Sequence, residues 1–174
     1  MPDRIGMRVL TEIGIVGQLG TTILERSMPY DLTLPQFFTL DQLAHVQHKT
    51  TPGSLAAAAR VTRATMTSTL HRLKVKGFVV FHIDAGDRRS KRVVLTDLGY
   101  AAYLEASNAT TKDLIALQMQ IGIEELETIL SVLSKLQAFF DNRNQQTQGS
   151  PIGKYRCGLR RDERSKTGKM AEAL

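Results

Sequence analysis

Two groups of side chains in this chain have residue types and spacing suited to chemistry, and both read as binding groups. Arg63, Thr65, Thr67, Ser68 and Arg72, with His71, fall opposite an apolar series of Met66, Leu70 and Leu73, so one helical face collects guanidinium and hydroxyl groups. Asp87, Arg88 and Arg89 sit in a Gly/Asp-rich turn between two β-branched runs. A guanidinium presents a planar fork of donors that fits phosphate or a guanine edge, and hydroxyls both donate and accept. These groups suit a partner rich in acceptors and negative charge. Each also has a plainer reading. Arginines at a hairpin tip can be simply solvated, and Arg72, Lys74 and Lys76 can do no more than complement the helix macrodipole.

The location of charge favours the binding reading. The chain of 174 residues has a net charge of +6, but the charge is segregated. Residues 60–92 hold nine Lys/Arg (Arg60, Arg63, Arg72, Lys74, Lys76, Arg88, Arg89, Lys91 and Arg92) against Asp84 and Asp87, a net +7. Residues 142–174 carry +5, which leaves the remainder at −6. A cationic face of this kind neutralises phosphates and releases their counterions.

Other chemistries find less support. No nucleophile–base pair, phosphate-cradling loop or paired carboxylates stand in a recognisable context, so no enzyme activity is expected. Asp41, His45 and His48 share one helical face at ligand spacing for zinc, but His48 falls near the helix end, where a solvated face is the usual outcome. No metal or cofactor is expected. Cys157, the only cysteine, rules out a disulfide within the chain and lies in a basic tail, where it is either incidental or a redox group. The N-terminus lacks the pattern of a signal peptide, and Ile13–Leu24 is too short and too rich in Gly and Thr to span a bilayer. A cytoplasmic protein without a membrane partner is the expectation.

The elements that must position these groups follow from periodicity and caps. Ile5, Val9, Ile13, Val16 and Ile23 predict an amphipathic helix over 5–28, and Gly14, Gly17 and Gly20 within it permit close approach of another helix. Thr33-Leu-Pro-Gln36 opens a second helix ending near Val46, with Phe37, Leu40 and Leu43 inward. Thr51-Pro-Gly-Ser54 starts a short alanine-rich helix over Leu55–Arg60. Thr62 caps a fourth helix that reaches Lys76 and stops at Gly77. Residues 78–83 and 91–95 form a hairpin, Thr96 caps a long helix to about Gln118, and a last helix runs over 123–140 with Leu126, Ile129, Leu130, Leu133, Leu136 and Phe140 on one stripe. From 142 onward the composition suggests a disordered basic tail, either inert or adding non-specific DNA affinity.

The fold class is therefore α+β, mainly α: a winged helix-turn-helix domain with N- and C-terminal dimerisation helices. A helix-turn-helix places its second helix in the major groove, and an adjoining hairpin can carry arginine into the minor groove. The apolar stripes of the first and last helices are either intramolecular core or a dimer interface.

The sequence resembles the multiple-antibiotic-resistance regulator (MarR) family. The likeness is carried by Leu32-Thr-Leu-Pro-Gln-Phe37, Leu55-Ala56, Val61-Thr-Arg-Ala-Thr-Met-Thr67, Leu73, Lys76-Gly-Phe-Val79, Asp87-Arg-Arg-Ser90 and Leu95-Thr-Asp-Leu-Gly99. It is continuous over about 32–100 and compatible in helix layout over 5–141. The resemblance implies a triangular homodimer with interleaved first, fifth and sixth helices, in which two winged motifs read a palindromic double-stranded DNA site. It implies that Arg89 is the wing arginine, with Arg88 beside it and steadied by Asp87. It also implies that Arg63, Thr65, Thr67, Ser68 and Arg72 face the major groove or its phosphates. His71 and Lys74 replace acids common in the family, making this helix more cationic. On this reading residues 1–141 are one MarR-like domain (winged helix about 32–100, dimerisation helices about 5–28 and 97–141), followed by the tail at 142–174. The chain would be a transcriptional regulator, a repressor responsive to a small-molecule effector. The effector would sit between the DNA-binding lobe and the dimerisation helices. The alternative is a winged-helix protein-interaction module without specific DNA binding.

Overall fold

A computed structural model describes residues 3–46, 50–83 and 91–148. Its first helix, α1 (Asp3–Ser27), is followed by α2 (Leu34–His45), α3 (Pro52–Ala58) and α4 (Arg63–Val75). A hairpin of β1 (Val79–Ile83) and β2 (Lys91–Leu95) leads into α5 (Asp97–Ile121) and α6 (Ile123–Gln148). This is a mainly helical winged-helix fold with one small antiparallel sheet. The described residues fall into two compact units divided after Gln120.

Local chemistry sets most boundaries of the first unit. The capping pair at α2 joins Gln36 to Thr33, whose N–H donates to Gln36 Oε1 at 3.4 Å. At α3 the reciprocal box is Thr51 and Ser54: Ser54 N–H donates to Thr51 Oγ1 at 3.1 Å and Thr51 N–H to Ser54 Oγ at 2.9 Å. This box starts α3 at Pro52, as the Thr51–Ser54 signal predicts, and the helix ends at Ala58, two residues short of the expected Arg60. Thr62 caps α4 by accepting from Thr65 N–H at 3.1 Å. Gly77, at φ +77°, closes it.

The hairpin pairs Val79 with Leu95 at one end and Ile83 with Lys91 at the other. Thr50 adds a backbone link from outside the hairpin, its carbonyl accepting from Val93 N–H at 2.8 Å, and so ties the start of α3 to β2. Thr96 joins the hairpin to α5, donating its hydroxyl to Gly77 O at 2.8 Å while accepting from Gly99 N–H at 3.0 Å. Gly99 is obligatory by space: a Cβ there would collide with the Phe78 carbonyl. The core collects Met28, Leu32, Leu40, Leu55, Met66, Leu70, Leu73, Phe78, Val79 and Val93 with Ala102 and Ala106 of α5. Those alanines, with Gly99 and Thr110, give α5 a thin buried face.

Most of α1 shows the opposite pattern. Ile5, Val9, Ile13, Val16 and Ile23 are all exposed, and open space surrounds Gly14 and Gly17. Its C-terminal end is anchored: Leu24 packs on the core, Ser27 Oγ donates to Asp113 Oδ2 at 2.8 Å, and Glu25 Oε1 accepts from Leu34 N–H at 2.7 Å.

The second unit is α6, begun by Gly122 at φ +96°. Ile129, Leu130, Phe139 and Phe140 on it are exposed. The helix continues through Asn142 to Gln148, past the point where apolar content falls, so the first residues assigned to a disordered tail are helical. Cys157 and the rest of the tail lie outside the described residues. Among the described residues no helix is long and apolar enough to cross a membrane.

Candidate nucleic-acid interface

The face of α4 is built by what the same helix buries. Met66, Leu70 and Leu73 are 2%, 1% and 0% exposed, which fixes the rotation of the helix. That rotation sends Arg63, Thr65, Thr67, Ser68, His71 and Arg72 to the surface. The sequence-predicted residues of this helix are thus brought together on one exposed side. Asp87, Arg88 and Arg89 lie outside the described residues. The strands that lead to and from them end at the paired Ile83 and Lys91.

The hydroxyls are less interchangeable than their types suggest. Thr67 Oγ1 donates its proton back to Arg63 O at 2.7 Å, leaving an acceptor and a methyl group for the outside. Thr65 Oγ1 shares a 2.8 Å bond with Thr62 Oγ1, inside the N-cap. Ser68, Arg63 and Arg72 then supply the outward donors. A methyl and an acceptor beside two guanidiniums match what the major groove offers, including the thymine methyl and the N7/O6 edge of guanine.

The cations of the basic segment divide by direction. Lys76 Nζ points inward, donating to Tyr30 O at 2.6 Å, Asp31 O at 2.8 Å and Gln36 Oε1 at 3.3 Å. Tyr30 and Asp31 are left-handed, at φ 60° and 49°, so Lys76 holds the bent turn between α1 and α2. Tyr30 extends this junction: its hydroxyl donates to Glu105 Oε2 at 2.7 Å, and its ring meets Phe78 edge-on at 5.6 Å. The bond to Glu105, more than burial, raises the Tyr30 phenol above its ordinary pKa. Lys74 lies over the Phe81 ring at 5.8 Å. Neither role was visible in the sequence.

The histidine–aspartate pair on α2 is local. His45 Nδ1 lies 2.9 Å from Asp41 O and 3.4 Å from Asp41 Oδ1, with its ring edge-on to Tyr103. His48 is outside the described residues, and among those described no group of three metal-ligating side chains assembles. Tyr103 is shifted to higher pKa, first by burial and then by its bond to Asp41.

Residues 30–90 match the family model described as MarR family. An E. coli mutant MarR solved with operator DNA is 27% identical, with 74% of this chain and 93% of that one covered at a TM-score of 0.68. The matched segment of the winged helix is MarR-like. The fold extends beyond the matched segment. A DNA complex of MepR from S. aureus covers 75% of this chain and 96% of its own at 24% identity and a TM-score of 0.69. BldR from Sulfolobus solfataricus, a transcriptional regulator, covers 76% and 94% at 21% identity and 0.66. In the MarR-type frame, the helix-turn-helix is α3 and α4 and the wing is the β1–β2 hairpin.

Proposed function

We propose that this chain is a sequence-specific, double-stranded DNA-binding transcriptional regulator that acts as a cytoplasmic homodimer. The observation that carries this reading is the outward face of α4, where Arg63, Thr67, Ser68 and Arg72 are exposed beside a fully buried apolar stripe. Such a helix offers little to an apolar protein groove and much to base edges and phosphates. The operator complex of the E. coli relative supports the same assignment. The wing residues Asp87, Arg88 and Arg89 complete the proposed site, with Arg89 in the minor groove.

Dimer formation is supported by the uncovered apolar face of α1 and the space around its glycines, where a partner helix can approach. Residues 1–141 serve in this reading as one functional domain through dimerisation, and the basic tail begins on the polar end of α6. Repression and response to a small-molecule effector are proposed from the likeness to the MarR family.

Selection of bound sequences from a random duplex pool tests the proposal. The expected result is a palindrome with half-sites about one helical turn apart, roughly 34 Å. Arg89→Ala should then lose most of its affinity for the selected site. Absence of any enriched sequence would leave the protein-interaction alternative standing.

A further inference from the structure

The turn between α1 and α2 is held in shape by other elements. Tyr30 and Asp31 are consecutive non-glycine residues in the left-handed region, which the backbone of an L-residue does not favour. Lys76, the C-cap of α4, donates to both of their carbonyls and to Gln36 Oε1. The same Gln36 oxygen accepts from Thr33 N–H at the start of α2. Tyr30 adds its bond to Glu105 of α5 and its edge-on contact with Phe78, just before β1. One ammonium group therefore links the end of α4, the start of α2 and the turn from which α1 departs.

The element that this turn directs is long. Helix α1 has 25 residues, about 37 Å at 1.5 Å per residue. Leu24 and the bond from Ser27 to Asp113 fix its C-terminal end, while most of its length stands with apolar side chains uncovered. A rotation of about 10° at the turn displaces the far end of such a helix by roughly 6 Å. That distance is close to two base-pair steps of duplex DNA, at about 3.4 Å each. In a dimer joined along α1, a change of angle here becomes a change in the distance between the two copies of α4.

We propose that Lys76 is a positioning residue for operator recognition: its clasp on the α1–α2 turn sets the angle between α4 and α1, and so the half-site spacing that the dimer accepts. This rests on the reading above of a DNA-binding homodimer and adds to it the residue that sets its span. Lys76 touches no DNA in this role. Its signature is a loss of spacing preference without a loss of phosphate contacts.

The test uses the full chain, Lys76→Met and Lys76→Arg. Each is titrated by fluorescence anisotropy against the palindrome that the parent selects, and against the same half-sites moved apart by one and by two base pairs. A salt series on duplex of arbitrary sequence and sedimentation of each protein accompany the titrations. The parent should prefer its own spacing by roughly tenfold or more, and Lys76→Met should lose most of that preference while keeping the parent's salt slope. Lys76→Arg retains a cation with several donors and should retain most of the preference. The ratio of two affinities within one protein does not change with the fraction folded, so a merely structural role leaves it unmoved. Lys76→Met with the parent's spacing preference would overturn the proposal. So would a monomeric Lys76→Met, since the lysine would then serve association, or one with a lower salt slope, since it would then meet phosphate. A parent that binds no duplex, or accepts every spacing equally, would instead refute the DNA-binding homodimer, and this role with it.

Discussion

Helices α4 and α1 arrange the same two kinds of side chain in opposite ways. In α4 the apolar repeat Met66, Leu70 and Leu73 is buried and the polar residues face out. In α1 the apolar residues face out for most of its length, with Val16 66% and Leu19 59% exposed, and only its last turns join the core. The winged helix therefore satisfies its hydrophobic pattern within its own compact unit, whereas most of α1 is not covered by that unit. In the proposed homodimer this apolar face is the association surface. Stability of the winged helix should be intrinsic, and that of α1 should depend on a partner.

Leu73→Ala probes the intrinsic side and should have the largest effect. Its side chain, on α4, is fully buried in the core, and large-to-small changes at such sites cost about 2–5 kcal/mol. Denaturant unfolding should show that loss. A loss below about 1 kcal/mol would mean that the buried stripe of α4 is not the main support of the fold.

Val16→Glu probes the other side. As a residue on a free surface it should change chain stability by less than about 0.5 kcal/mol. Within an interface it would bury a carboxylate, and a penalty of at least ~2 kcal/mol weakens association about thirtyfold. Sedimentation at micromolar concentration should find the parent dimeric and the variant shifted to monomer. Equal masses for the two proteins would break the comparison.

The sequence disclosed these contrasts unevenly, for physical reasons. Helix ends were legible at Thr33–Gln36, Thr62, Gly77 and Thr96 because caps are local and bind within a few residues. The buried and outward faces of α4 were legible because a period of 3.6 residues sorts them directly. The link from Thr50 O to Val93 N–H was not, since it is a backbone contact between distant positions with no side-chain signature. The left-handed Arg60, at φ 53°, was hidden because the usual marker, glycine, is missing. The extent of α6 exceeded its apolar stripe because Asn142–Gln148 continue the helix without a buried repeat.

Lys76 shows the limit of reading cations from sequence, and it offers the smallest test. It belongs to the basic segment and sits at the C-terminal cap of α4, yet its ammonium group is committed to Tyr30 O, Asp31 O and Gln36 Oε1. Hydrogen bonds to a charged donor contribute about 1.5–3 kcal/mol when sheltered, and partial exposure reduces that here to roughly 1 kcal/mol. Lys76→Met keeps the stem packing and removes the donors, so unfolding should become easier by about that amount. The salt slope of DNA binding should not change, because an inward ammonium neutralises no phosphate. Arg72→Ala should give the reverse: little effect on stability and a slope lower by about one. If Lys76→Met lowers the slope as Arg72→Ala does, the lysine leaves the α1–α2 turn to meet DNA. The junction between the winged helix and α1 would then be loosened by binding itself.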